Sequence, residues 1–118
     1  YGDGLNVRDW CFVADNCAAI DLVLRKGTVG EIYNIGADNE LTNRELTDAI
    51  LGLLGCDESM VEYVADRLGH DRRYSIDTSK VCSLGWSPRR QFDEALEETI
   101  AWYRDNRWWW EPLESGCR

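Results

Sequence analysis

Apolar residues recur every three to four positions over two long stretches, each predicting an amphipathic helix. In the first, Leu46, Ala49, Ile50, Leu53 and Leu54 share a face and Gly55 ends the run. Thr42-Asn43-Arg44-Glu45 ahead of them is a capping box, with Leu41 and Leu46 at the hydrophobic-staple positions. In the second, Phe92, Ala95, Leu96, Thr99, Ile100 and Tyr103 lie on one face between Phe92 and about Arg107. Asp93 and Glu94 at its start and Arg104 and Arg107 at its end suit the helix dipole. Gln91 stands at its N-cap, where Ser, Thr or Asp would serve better. A third helix is predicted over Asn16 to Arg25, with Asp15 as N-cap and Gly27 just past the end. Asp77-Thr78-Ser79-Lys80 opens a short helix that stops at Leu84-Gly85, and Trp86-Ser87-Pro88 is a turn.

Between the helices lie short extended runs. Val7 to Val13 follows a turn containing Gly2 and Gly4, and Met60 to Val64 precedes a basic stretch. Glu31 to Gly36 is apolar and flanked by glycines, as a buried strand of a parallel sheet would be. Helices alternating with short strands indicate an α/β fold. Trp108-Trp109-Trp110-Glu111-Pro112 is expected to anchor the last helix and close the ordered part, leaving residues 114–118 as a flexible tail.

The chain of 118 residues is one domain at most, and its net charge of −9 excludes a general nucleic-acid or membrane-surface binder. Five scattered cysteines, none in C-x-x-C spacing, are expected to be reduced thiols, mostly buried, in a cytoplasmic protein. No signal peptide is expected, and the 118 residues contain no apolar run able to span a bilayer. The start at Tyr1-Gly2-Asp3-Gly4 has the look of the middle of a longer protein.

Against this acidic background, Asp66-Arg67-Leu68-Gly69-His70-Asp71-Arg72-Arg73-Tyr74 packs three arginines and the sole histidine into nine residues. Two readings fit. The arginines pair with local carboxylates in a solvated loop, or they clamp an anion, since the guanidinium fork matches carboxylate and phosphate bidentately. No strand-loop-helix phosphate site and no nucleophile–base pair stands out.

Several motifs together resemble the dTDP-glucose 4,6-dehydratases of the extended short-chain dehydrogenase/reductase family. They are Tyr1-Gly2-Asp3-Gly4 with Arg8-Asp9-Trp10, Tyr33-Asn34-Ile35-Gly36, and the Gly69-His70-Asp71-Arg72-Arg73-Tyr74 run. Asp77-Thr78-Ser79-Lys80, Leu84-Gly85-Trp86-x-Pro88 and Trp102-Tyr103 continue the likeness, which extends to about Leu113. The resemblance implies that residues 1–113 form the C-terminal nucleotide-sugar-binding portion of such an enzyme. It also implies strands that would join a Rossmann-type parallel sheet.

In that family, bound NAD oxidises the sugar at C4, water leaves across C5–C6, and the hydride returns to C6. The Gly-rich NAD loop and the Tyr-x-x-x-Lys pair would lie in an N-terminal part absent from this chain, which is therefore expected to be inactive alone. The intact enzyme would be a homodimer acting on a nucleotide sugar. Carried over residue by residue, Arg8 matches a diphosphate contact and Asn43 another substrate contact. Asp66, Arg67, Gly69 and His70 match the loop over the nucleotide, and Tyr1 a tyrosine packed along it. Guanidinium groups and helix-N-terminal N–H donors are the chemistry a diphosphate calls for. Leu68 replaces the family's usual proline, which loosens the loop. Other members of the family remain alternatives: a GDP-mannose dehydratase, a UDP-sugar decarboxylase or an epimerase. A stand-alone sugar-nucleotide-binding module is a further one.

Overall fold

The strand β1 (Val7–Asp9) is held along both edges. On one side it pairs antiparallel with β2 (Glu40–Thr42), in the register Val7↔Thr42, Arg8↔Leu41 and Asp9↔Glu40. On the other, Val7 forms a parallel bridge with Arg73. Its N–H donates to Arg72 O at 2.8 Å and its C=O accepts from Tyr74 N–H at 3.2 Å. Successive strand residues point their backbone groups to opposite edges, so Val7 serves the basic stretch while Arg8 serves β2. The computed structural model describes residues 1–115. Cys117 and the end of the expected tail lie outside the described residues.

The capped helix forms as its sequence predicts. In α2 (Asn43–Leu54) the N–H of Glu45 donates to Thr42 Oγ1 at 3.0 Å, and Thr42 N–H donates back to Glu45 Oε2 at 2.8 Å. Gly55 closes the helix at a φ of +67°.

The helix α1 (Val13–Lys26) departs from expectation at its start. Its N-cap is Phe12, which makes no side-chain bond, and Asp15 sits inside the first turn. Asp15 is 5% exposed and serves a distant segment instead. Its Oδ2 accepts the N–H groups of Arg89 and Arg90, both at 3.1 Å, and its C=O accepts from Trp86 Nε1 at 3.0 Å. This carboxylate fastens the turn that enters α4 (Phe92–Asp105), whose own N-cap, Gln91, contributes no side-chain bond.

Between them, α3 (Ser79–Ser83) contributes Val81 to a small core with Ala19 and Trp86, against which Leu22, Val23, Tyr33 and Ile35 pack. The last helical stretch is two helices rather than one. After α4, Asn106 breaks the run and α5 (Arg107–Ser115) continues, carrying Glu114 and Ser115 beyond the expected end of the ordered part. Trp109 meets Trp102 edge-on at 5.4 Å and Trp110 Nε1 donates to Tyr103 O at 2.8 Å, so α5 folds back on α4 as anchoring requires.

Two predicted strands are extended but unpaired among the described residues. Met60 ends a 3-10 turn (Glu58–Met60), and residues 61–64 join no ladder. Residues 31–36 alternate as a strand should, with Tyr33 and Ile35 turned to the core and Ile32 left 81% exposed. Ile20, Leu24 and Val29 are likewise exposed apolar residues.

The chain exposes 8857 Å². A compact monomer of 13.6 kDa would expose about 6,600 Å². Its radius of gyration, 16.9 Å, exceeds the roughly 13.5 Å of a compact domain this long. The small core also leaves Cys17, Cys56 and Cys82 exposed, on or beside helices that no second layer covers, so most of the described thiols are not buried as expected. No helix among the described residues is long and apolar enough to cross a membrane.

Replacing Asp15 by alanine orphans two backbone donors and should cost about 2–4 kcal/mol, read as a lower urea midpoint. A loss below about 0.5 kcal/mol would mean that water replaces the carboxylate there.

Candidate functional site

The bridge at Val7 brings the basic stretch alongside Arg8. The Arg8 guanidinium donates from Nη1 to Val7 O at 2.6 Å, and from Nη2 to Asp71 O and toward His70 Nε2, both at 3.1 Å. Its Cζ stands 4.1 Å from the centroid of the Tyr74 ring. It pairs with neither neighbouring acid. Asp9 accepts N–H groups of Asp38 and Asn39, and Asp15 is committed to the turn before α4.

A guanidinium only donates, so His70 Nε2 accepts and the ring proton sits on Nδ1. From there it donates to Asp66 Oδ1 at 2.6 Å. That hydrogen bond holds the Asp66 carboxyl below its ordinary value. Tyr1 meets the His70 ring edge-on at 6.3 Å, and Arg67 Cζ lies 5.3 Å from the Tyr1 ring centroid. Tyr1, Arg8, Asp66, Arg67 and His70 are thus gathered in one place. Gly69 is at the tip of the turn that carries Arg67 and His70, at a φ of +69°, with His70 N–H bonded to Arg67 O at 3.3 Å.

The two readings of the basic stretch divide it between them. Arg72 donates to both Asp3 oxygens at 2.9 and 3.1 Å, and Arg73 grips Glu40 bidentately at 2.6 and 2.9 Å. These two are fasteners. Arg67 and Arg8 have no carboxylate partner among the described residues, and they face the same corner.

Asn43 reaches the site indirectly. Its N–H donates to Asn6 O at 3.0 Å, while Asn6 Nδ2 donates to Asp71 O at 3.0 Å. The Asn43 amide has no partner among the described residues. Its helix cannot offer the N-terminal N–H groups expected of it, however. Asn43 N–H goes to Asn6 O, Arg44 N–H to Gly4 O, and Glu45 N–H to the capping threonine. The glycine-rich turn lies across the helix start and consumes these donors, so cationic side chains are left as the anion ligands.

Two further residues shape the site in ways the sequence pattern does not assign. Asn6, 2% exposed, pins the basic stretch to β1 and α2, and its Oδ1 is buried without a donor among the described residues. Tyr74 forms a floor under Arg8, its hydroxyl donating to Asp71 Oδ2 at 3.0 Å. The only signals were a polar residue between a glycine turn and a strand, and an aromatic at the end of a charged run.

The sequence pattern of the GDP-mannose 4,6 dehydratase family matches residues 1–99. A dTDP-glucose 4,6-dehydratase of Streptomyces antibioticus is 55% identical over 115 residues, 97% of this chain and 34% of that protein. The low-salt glycan biosynthesis protein Agl12 of Haloferax volcanii is 52% identical over 87% of this chain and 33% of its own length. Among solved structures, DesIV, a dTDP-glucose 4,6-dehydratase of Streptomyces venezuelae with NAD bound, superposes with a TM-score of 0.91 at 55% identity. The match covers 96% of this chain and 35% of DesIV. The UDP-glucose 4-epimerase of Thermotoga maritima superposes at 0.81 with 32% identity, over 89% of this chain and 34% of that one. The chain spans about a third of the length of these relatives.

The turn at Gly69 has positive φ at its third residue, the type II pattern, whose second position favours proline. Leu68 holds that second position, fully exposed. Leu68→Pro should raise stability by about 0.4–1 kcal/mol, seen as a higher melting temperature; a decrease would show that the backbone there does not suit proline.

Acid should loosen the site as well. Arg73 holds Glu40 below its ordinary value as His70 does Asp66. The unfolded chain therefore binds more protons as pH falls, and stability contributed above about pH 4 should be lost below it. Urea midpoints measured from pH 7 to 3 check this, and a flat profile would contradict it.

Proposed function

Because the chain belongs to the GDP-mannose 4,6 dehydratase family, we propose that it is the substrate-holding portion of an NAD-dependent nucleotide-sugar 4,6-dehydratase acting on dTDP-glucose. Among the family's activities, this one is favoured by relatives at 55% identity along nearly the whole chain. The observation that carries the reading is the pair Arg8 and Arg67, the guanidinium groups of the site left without a carboxylate. A diphosphate supplies the missing negative charge, and Asn43 offers an amide nearby.

The division of labour follows from what the chain contains. No tyrosine is followed four residues later by lysine, and no glycine-rich strand-to-helix turn fits a dinucleotide. NAD and the groups that move hydride and proton therefore belong to the remainder of the enzyme, and no chemical step is assigned to these residues. Arg8 holds the diphosphate, Arg67 and Tyr1 cover the nucleoside side, and Gly69 lets the covering turn form. The exposed Ile32 side of residues 31–36 is where the rest of the enzyme would pack, with that segment adding to its parallel sheet. The intact enzyme is taken to be a cytoplasmic homodimer.

In the complete enzyme, Arg8→Ala should weaken substrate binding by about 1.5–3 kcal/mol; unchanged affinity for dTDP would return Arg8 to a structural role. The present chain mixed with NAD and dTDP-glucose should give no 4-keto sugar. Turnover by it alone would overturn the division of labour. A complete enzyme that accepts GDP-mannose or a UDP-sugar in preference to dTDP-glucose would overturn the substrate assignment.

A further inference from the structure

The contacts around His70 run in one direction. Arg8 Nη2 donates to Nε2 and Nδ1 donates to Asp66 Oδ1. Asp66 Oδ1 also accepts the N–H of Arg67 at 2.9 Å. Gly2 lies close to this carboxylate on one side, where a Cβ would stand 2.9 Å from Asp66 Cγ, while the acid is half-exposed on the other. The His70 side chain is itself 4% exposed. A buried ring with both nitrogens engaged is poorly placed to contact a ligand through hydrogen bonds. It is well placed to hold its neighbour.

We propose that Asp66 and His70 are positioning residues for Arg8, with the carboxylate fixing the ring tautomer and the ring fixing the guanidinium. This deepens the reading of Arg8 as the diphosphate ligand and rests on it. Of the five guanidinium N–H groups, three are taken by Val7 O, Asp71 O and His70 Nε2. The two carbonyls belong to the strand and the basic stretch, which the bridge at Val7 already fixes. The ring is the side-chain member of the set, and it can accept only while its proton stays on Nδ1. With the proton on Nε2, a donor would face a donor and Arg8 would swing off the Tyr74 ring. Asp66 prevents this by accepting from Nδ1. Asp66 and His70 thereby act on the ligand through Arg8.

Four variants and a double-mutant cycle test this on the full 118-residue chain, with dTDP as the calorimetric probe and nitrogen-15 NMR of the His70 ring and the Arg8 guanidinium. His70→Leu and Asp66→Leu should each weaken dTDP binding about tenfold. His70→Gln keeps an acceptor near the place of Nε2, and Asp66→Asn keeps an oxygen for Nδ1–H. Both should stay within about threefold of the parent. In an Arg8→Ala background, His70→Leu should have no further effect, because nothing remains to be positioned. A merely structural role would persist there.

The NMR signature is independent of ligand: the ring proton is on Nδ1 in the parent and in Asp66→Asn and moves to Nε2 in Asp66→Leu, with the Arg8 resonances shifting along with it. A parent ring protonated on Nε2, unmoved Arg8 resonances in Asp66→Leu, or additive effects of His70→Leu and Arg8→Ala would each overturn the proposal. If Arg8→Ala leaves dTDP affinity unchanged, or no dTDP binds, the diphosphate reading fails on its own. The NMR result then still decides the positioning claim.

Discussion

The backbone of Val7 is the constraint on which the rest of the site depends. Its N–H and C=O are claimed by Arg72 and Tyr74, far along the chain, while its strand neighbours are claimed by β2. Without that bridge, Arg8 and His70 are separated by 62 positions of chain. Closing a loop of that length costs about 4 kcal/mol, more than two backbone hydrogen bonds at about 1 kcal/mol each return. The balance comes from the contacts clustered around the bridge: Asn6 to Asp71, Arg73 to Glu40 and Arg72 to Asp3. The ion pairs are exposed and individually weak. Their value lies in sharing one closure, since each is formed in the geometry that the others have already fixed.

Charge in the basic stretch is therefore divided by task. Arg72 and Arg73 direct their charge to the acids of the amino-terminal turn and of β2, while Arg8 and Arg67, on either side of His70 and Tyr1, have no carboxylate partner among the described residues. A sequence showing only three arginines in a row of nine residues cannot reveal that partition. It depends on which carboxylates, many positions away, the fold brings within reach. The overall charge of −9 is no obstacle to an anion site, because at ordinary ionic strength exposed charges more than about 8–10 Å away are screened.

Local information was legible where the interactions are local. The Thr42–Glu45 box, the face of α2 and its closure at Gly55 are written in adjacent residues, and they form as written. The resemblance carried by the Gly69–Tyr74 and Leu84–Pro88 runs identified the family, and comparison with relatives supports it. What failed depended on distant partners. Asp15 reads as a cap for the helix that follows it, yet serves backbone more than seventy positions away. Residues 31–36 carry the alternation of a strand, but a strand also needs a neighbour, and residue preferences do not supply one. The first N–H donors of α2 have no partner in their own segment, and it is the distant turn at Gly4 and Asn6 that occupies them.

The sequence distance between the two halves of the site has a kinetic meaning. Topologies dominated by distant contacts fold slowly, because closure entropy is lost before the contacts compensate for it. Here α2 and α4 can form from their own neighbours, whereas the corner made by Arg8, His70 and Tyr74 cannot exist until residues from both sides of α1 and α2 have met. It should be among the last parts to assemble and the first to come apart. A dianion bridging Arg8 and Arg67 would bind only the closed arrangement, and so would act on the protein as a clasp as well as a cargo.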